Sequence, residues 1–158
     1  MNKYVKIILW VFVVLLIIFS LLCGYLYNEF DVDMDPRISN NTIEFKQLNE
    51  IIYIRTKLWG ISGNHSEILL SNALIKNVHN EYMVDKQYTY KDCSEIYYQK
   101  KGLDSLIIYV DHISNIPKNM ETQIIISQIK LENAKEIQDY SKNYGSYGLT
   151  KISVYSSN

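Results

Sequence analysis

Residues 51–59, IIYIRTKLW, alternate in side-chain character, with Ile52, Ile54, Thr56 and Leu58 on one face and Tyr53, Arg55, Lys57 and Trp59 on the other. A period of two is the mark of a half-buried strand. Gly60, Ile61, Ser62, Gly63 and Asn64 follow, a run rich in residues that tolerate positive φ, and residues 67–71 resume the alternation with Ile68 and Leu70. Strand, glycine-rich turn and strand together predict a β-hairpin.

Downstream of this hairpin, residues 88–90 and 94–100 read as a weaker pair of strands, and 106–110 as an apolar strand after the turn-forming KGLD at 101–104. Residues 122–131 form a further strand. Three successive isoleucines, Ile124, Ile125 and Ile126, make both its faces apolar, so a central place in its sheet is expected. Ala134, Ile137, Tyr140 or Ser141, and Tyr144 recur at helical spacing, with Gly145 placed to end the helix. Residues 149–155 alternate again, Ile152 and Val154 inward. The gaps between strands are too short for the crossover helices of a doubly wound parallel sheet. The expected fold class is therefore mainly β, a β-rich α+β arrangement. It is an antiparallel sheet or open sandwich covered by one helix near the C-terminus and preceded by one N-terminal transmembrane helix.

That first helix is the plainest feature upstream. From residue 7 to 22 every residue except Ser20 is apolar, and no charge occurs between Lys6 and Glu29. A helix over 7–27 would be about 31 Å long, close to the hydrocarbon thickness of a bilayer. Lys3 and Lys6 precede it, whereas Glu29, Asp31, Asp33 and Asp35 follow, so the positive-inside rule leaves the amino end in the cytoplasm. Tyr25 and Tyr27 fall where interfacial aromatic residues belong. A cleaved signal peptide would need a small-x-small site, and Leu22 stands where the small residue before Gly24 is wanted. A lipoprotein signal ending at Cys23 fails at the same leucine, so the uncleaved anchor is the favoured reading and lipidation of Cys23 the alternative. The expected division is a cytoplasmic tail at 1–6, the transmembrane helix at 7–27, an acidic linker at 28–36 and an extracytoplasmic β-rich domain at 37–158. Localisation is then the cell membrane, single-pass, with the domain periplasmic or extracellular.

With Lys3 and Lys6 set aside, 14 basic groups face 17 acidic ones in the rest of the 158-residue chain. Nucleic-acid binding needs a concentrated basic surface, and arginine occurs only at 37 and 55. Two cysteines, one of them inside the apolar run, exclude a disulfide-stapled scaffold.

Several patterns come near known chemistry. Gly60-Ile61-Ser62-Gly63-Asn64 approaches a nucleophile elbow, but that pattern wants glycine where Asn64 stands and a helix after it. Asp31, Asp33 and Asp35 alternate as in a calcium loop, which then needs Gly and Glu where Pro36 and Thr42 stand. His65, His79 and His112 are too far apart in sequence for local spacing to preorganise zinc. Cys93 has no second cysteine in its domain and reads as a partly buried bystander thiol. Asn40-Asn41-Thr42 and Asn64-His65-Ser66 match the glycosylation sequon, which matters only in a eukaryotic secretory pathway. Fourteen tyrosines are the compositional oddity. Tyr88, Tyr90, Tyr97, Tyr98 and Tyr109 fall in or beside strands, where they suit either contact surfaces or simple strand propensity.

Residues 53–68, YIRTKLWGISGNHSEI, together with 115–119, NIPKN, resemble a group of short uncharacterised bacterial proteins with one N-terminal membrane segment and a mostly β extracytoplasmic domain. The resemblance spans about half the chain. It implies that architecture and brings no activity with it.

The expected function is a tethered interaction or accessory module of the bacterial envelope. Its alternative is a membrane-tethered hydrolase using Ser62, Cys93 or a pair of histidines. No residue is assigned as catalytic, cofactor-binding or metal-ligating, and no cofactor is implied. The polar-aromatic face of the hairpin supplies the interaction candidates Tyr53, Arg55, Trp59 and His65. The expected partners are the lipid bilayer and a protein of unspecified kind, with no nucleic acid. Trp59 has a rival role, closing one end of the sandwich beside its glycine turn, and that packing role is the favoured one.

Overall fold

A computed structural model describes residues 2–34, 36–60, 63–74 and 85–155, with 26–34 as backbone only. The first element is the helix α1, Lys3–Met34. Its 23-residue portion Lys3–Tyr25 is long and apolar enough to cross a membrane by length and composition, and none of it is buried against the rest of the chain. The helix is continuous into the acidic segment as far as Met34, and Asp35 lies outside the described residues.

Among the described residues eight strands follow. These are β1 Arg37–Phe45, β2 Glu50–Trp59, β3 His65–Ser71, β4 Gln87–Lys91, β5 Glu95–Lys101, β6 Ser105–Val110, β7 Ile125–Lys130 and β8 Thr150–Ser153. They form two four-stranded sheets, ordered β1-β2-β3-β4 and β7-β6-β5-β8. The chain is mainly β, as its alternating patterns require. One core cluster joins both sheets face to face: Ile43, Phe45, Ile52, Ile54, Ile68, Leu70, Tyr88 and Tyr90 from the first meet Ile96, Leu106, Ile108, Val110 and Ile152 from the second. Burying that much aliphatic and aromatic surface between two inner faces is what holds a sandwich together.

The hairpin pairs as its sequence requires, with Trp59 opposite His65 and Ile54 opposite Leu70. Gly60 and Gly63 hold positive φ, 86° and 66°, and the Gly63 N–H donates to the Gly60 carbonyl at 3.0 Å. A strand, β3, rather than a helix follows this turn, which removes the elbow geometry; Ser62 itself lies outside the described residues.

Three expectations need correction. β7 is not central: among the described residues it is an edge strand, paired parallel to β6 only, with Ile125 58% and Ile129 42% exposed. Of the three isoleucines only Ile124 is fully buried, so the apolar run lies across the strand entrance instead of filling two faces. The parallel pairing is possible without a helix because residues 111–124 make a long irregular crossover. Glu50, in the β1–β2 pair, secures its end by accepting from the Thr122 hydroxyl and, at 3.0 Å, from the Gln123 N–H. Second, β1 is a full nine-residue strand where no strand is foreseen, because its polar RISNNTIEF buries only Ile43 and Phe45. Third, the late helix α2, Ala134–Asn143, does not stop at Gly145. It passes into a 3-10 turn, Tyr144–Tyr147, and the left-handed residue that ends it is Gly148, with φ 68°. Its start is set by Asn133, whose side chain accepts the Glu136 N–H at 3.0 Å.

α2 lies on the outer face of the second sheet. There Tyr97, Leu131 and Leu149 form a second cluster with Tyr109, Ile137, Tyr140 and Tyr144. The strand tyrosines thus fill two cores: Tyr88 and Tyr90 lie between the sheets, and Tyr97 and Tyr109 beneath the helix, where Tyr140 approaches both rings at 5.9 and 5.4 Å. None of the five strand tyrosines is fully exposed, which favours strand propensity over a contact surface.

Candidate functional site

The outer face of the first sheet carries all four interaction candidates. β2 turns Tyr53, Arg55, Lys57 and Trp59 outward because Ile52, Ile54, Thr56 and Leu58 face the core. Register then sets cross-strand neighbours. Arg55 stands between Asn40 of β1 and Leu69 of β3, and Glu67 between Lys57 of β2 and Lys91 of β4, so unlike charges oppose each other across the strands.

At the hairpin tip, the Trp59 and His65 rings stack with centroids 5.6 Å apart and planes inclined by 25°. The Lys57 ammonium lies 4.7 Å from the indole centroid, close enough for a cation–π attraction. His65 is exposed and its Nδ1 is 3.9 Å from an Asp92 carboxylate oxygen. Glycine at position 60 is what permits this arrangement, since a Cβ there would come within 2.9 Å of the His65 ring. Trp59 is half-buried and belongs to neither core cluster. The favoured expectation that it closes the sandwich is therefore not met; Leu58, on the opposite face, packs on Gly63 at the turn.

Tyr53 and Arg55 sit farther along the same face. They line a cleft of about 350 Å³ with Asn40, Asn41, Thr42, Ile54 and Leu74. That volume is at the small end of ligand pockets, room for one anchoring side chain. Arg55 is buried and lines this cleft.

The hydrolase alternative names Ser62, Cys93 and a pair of histidines. Ser62 and His79 lie outside the described residues. His112 is exposed just beyond β6, beside the Asp111 carboxylate at 3.3 Å. Cys93 is 1% exposed in the inter-sheet core, where its thiol donates to the Glu95 carbonyl at 3.2 Å. Burial, reinforced by the negative charge of Asp111, pushes that thiol up to about 12, so it holds its proton at neutral pH and is a poor nucleophile. Among the described residues no group of three His, Cys, Asp or Glu side chains could hold a metal ion.

No known protein family, curated protein or solved structure matches the chain. The functional reading therefore rests on the residues themselves.

Cys93 gives a direct check of the core. In a Cys23→Ser variant of the full chain, maleimide should leave native protein unmodified at neutral pH and label one thiol after urea unfolding. Rapid labelling of the native chain would place Cys93 outside the core.

Proposed function

We propose that the chain is a single-pass membrane protein, amino end in the cytoplasm, whose β domain outside it acts as an interaction module. The contact surface is the open part of the first sheet's outer face, the Trp59–His65 tip and the Tyr53–Arg55 cleft; farther across it Glu67, Leu69, Ser71 and Gln87 are buried. The observation that carries this reading is the pairing of an apolar 23-residue helix, wholly unburied, with a sandwich whose Trp59 and His65 rings stack outside both cores. A partly exposed tryptophan held in a fixed orientation by a histidine and a lysine loses little entropy on binding, which suits an interface anchor. The partner proposed is a protein, meeting Trp59 at the tip and the Tyr53–Arg55 cleft beside it.

Anchoring is tested by alkaline-carbonate extraction, which should leave the full-length chain in the membrane fraction, and by external protease, which should remove the domain from intact cells. A soluble, shortened product would refute the anchor. Cys23→Ser abolishes lipid labelling only if that cysteine is acylated. For the surface, Trp59→Ala in the detergent-solubilised full chain should weaken capture of its bound protein by about 2 kcal/mol. The same variant should unfold close to wild type, because neither core loses a member. A large stability loss with unchanged capture would return Trp59 to a packing role.

A further inference from the structure

β7 is an open edge: among the described residues no strand pairs with its far side. Its other side is occupied by β6, the Ile125 N–H donating to the Asp104 carbonyl at 2.8 Å and the Leu131 N–H to the Val110 carbonyl at 2.7 Å. Strand alternation then directs the backbone groups of Ile126, Gln128 and Lys130 across the open edge. Exposed Ile125, Ser127 and Ile129 share the outer face beside it. An apolar edge of this kind is a template for another strand.

The remaining edges are treated differently. Along β4, the Thr89 N–H is taken up by the Ser114 hydroxyl of the crossover at 2.8 Å. β8 has only four residues, and β1 carries Asn40, Asn41, Thr42 and Glu44.

The β7 sequence itself specifies an occupant. Ile125-x-Ser127-x-Ile129 reads the same in both directions, so a strand laid antiparallel about a two-fold axis through Ser127 sets each Ile125 against Ile129 of the other copy. That register also places Ile126 opposite Gln128, and both already aim their backbone groups across the edge, giving hydrogen-bonded pairs. Ser127 meets its own equivalent in a non-hydrogen-bonded pair, where side chains approach most closely. A one-residue slip would oppose groups facing the edge with groups committed to β6. A two-residue slip would lose the isoleucine pairing. We propose that β7 pairs antiparallel with β7 of a second copy of this chain, joining two four-stranded sheets into one across an isologous interface.

The test uses full-length chain in membranes, in a Cys23→Ser background that leaves the buried Cys93. A non-hydrogen-bonded antiparallel pair separates Cα atoms by about 4.5 Å, inside the range a disulfide spans. Ser127→Cys should therefore cross-link to a covalent dimer under mild oxidation. Ile125→Cys alone should cross-link several-fold less, but should form mixed dimers with co-expressed Ile129→Cys. Equal cross-linking at Ser127, Ile125 and the exposed turn residue Leu103 would signify random collision and overturn the proposal. Charge provides an independent arm. Ile125→Lys with Ile129→Lys should abolish the Ser127→Cys dimer, and Ile125→Lys with Ile129→Glu should restore it by placing opposite charges across the axis. A dimer indifferent to both combinations would show that other surfaces, such as α1, hold the copies together.

Discussion

Replacing Ile108 by alanine should destabilise the β domain by about 3–4 kcal/mol, whereas Ile125→Ala, in the adjacent strand, should cost less than about 0.5 kcal/mol. Ile108 has no exposed surface and lies on β6, between β5 and β7, inside the cluster that joins the sheets. Removing its outer carbons leaves a cavity walled by two sheets that cannot collapse independently. Ile125 faces solvent at the edge and leaves no cavity. Urea unfolding of the detergent-solubilised chain, at concentrations where it is monomeric, measures both. A melting temperature lowered on the order of 10 °C should accompany the first change alone. Comparable losses at the two positions would mean that β7 is a central strand after all.

The same pair of isoleucines shows what the sequence could and could not disclose. Alternation along 51–59 is a local property, and it correctly divides core from outer face because Ile52, Ile54, Thr56 and Leu58 are all buried. Whether a strand is central or at an edge depends on what lies beside it, which no local pattern records. Ile124-Ile125-Ile126 therefore reads as two-sided burial, although only its first member is deep. The converse misled at β1: Asn40 and Asn41 lack strand character, but nine residues pair in full register with β2 because β2 supplies the ladder. Gly145 and Gly148 are equally good as cap residues by type. Docking of Tyr144, the first residue of the 3-10 turn, on the second cluster decides between them, with the Leu149 N–H closing onto the Tyr144 carbonyl at 3.0 Å.

The candidate site was legible as a face and not as a geometry. Parity puts Tyr53, Arg55 and Trp59 together, but the stacking of Trp59 on His65 requires the register of a second strand. The burial of Arg55 on an outward face had no signal in its own strand. A third group escaped altogether, since Glu95, Tyr97, Ser141 and Lys151 come from two neighbouring strands and the helix above them and share no spacing in sequence.

That group supports the second large effect: Glu95→Ala should cost about 2–3 kcal/mol at neutral pH, and the part of that cost carried by the charge should be lost in acid. The Glu95 carboxylate pairs with the Lys151 ammonium and accepts the Tyr97 hydroxyl, with Ser141 of α2 as a further hydrogen-bond partner. Lys151 also lies 5.8 Å from the Tyr97 ring centroid and 5.9 Å from that of Tyr144, so one carboxylate organises the underside of the helix. Its side chain is 22% exposed and that of Lys151 24%, so solvent screens the pair in part and the full penalty of a buried ion pair is not reached. Burial pushes the Glu95 carboxyl upward, but the Lys151, Tyr97 and Ser141 hydrogen bonds and the lysine charge outweigh it, leaving the group below its ordinary value of 4.5. A carboxyl held lower in the folded state stabilises above its unfolded value and loses that contribution as pH falls through its folded one. The difference in unfolding free energy between wild type and Glu95→Ala should therefore be constant from neutral pH down to the ordinary carboxylate range and shrink below it. Glu95→Gln, which keeps the shape and one acceptor, should recover part of the neutral-pH loss and none of the pH dependence. A difference that stayed the same across the acid range would mean that Glu95 contributes packing alone, and that α2 is held to the second sheet by its tyrosines without the charge beneath them.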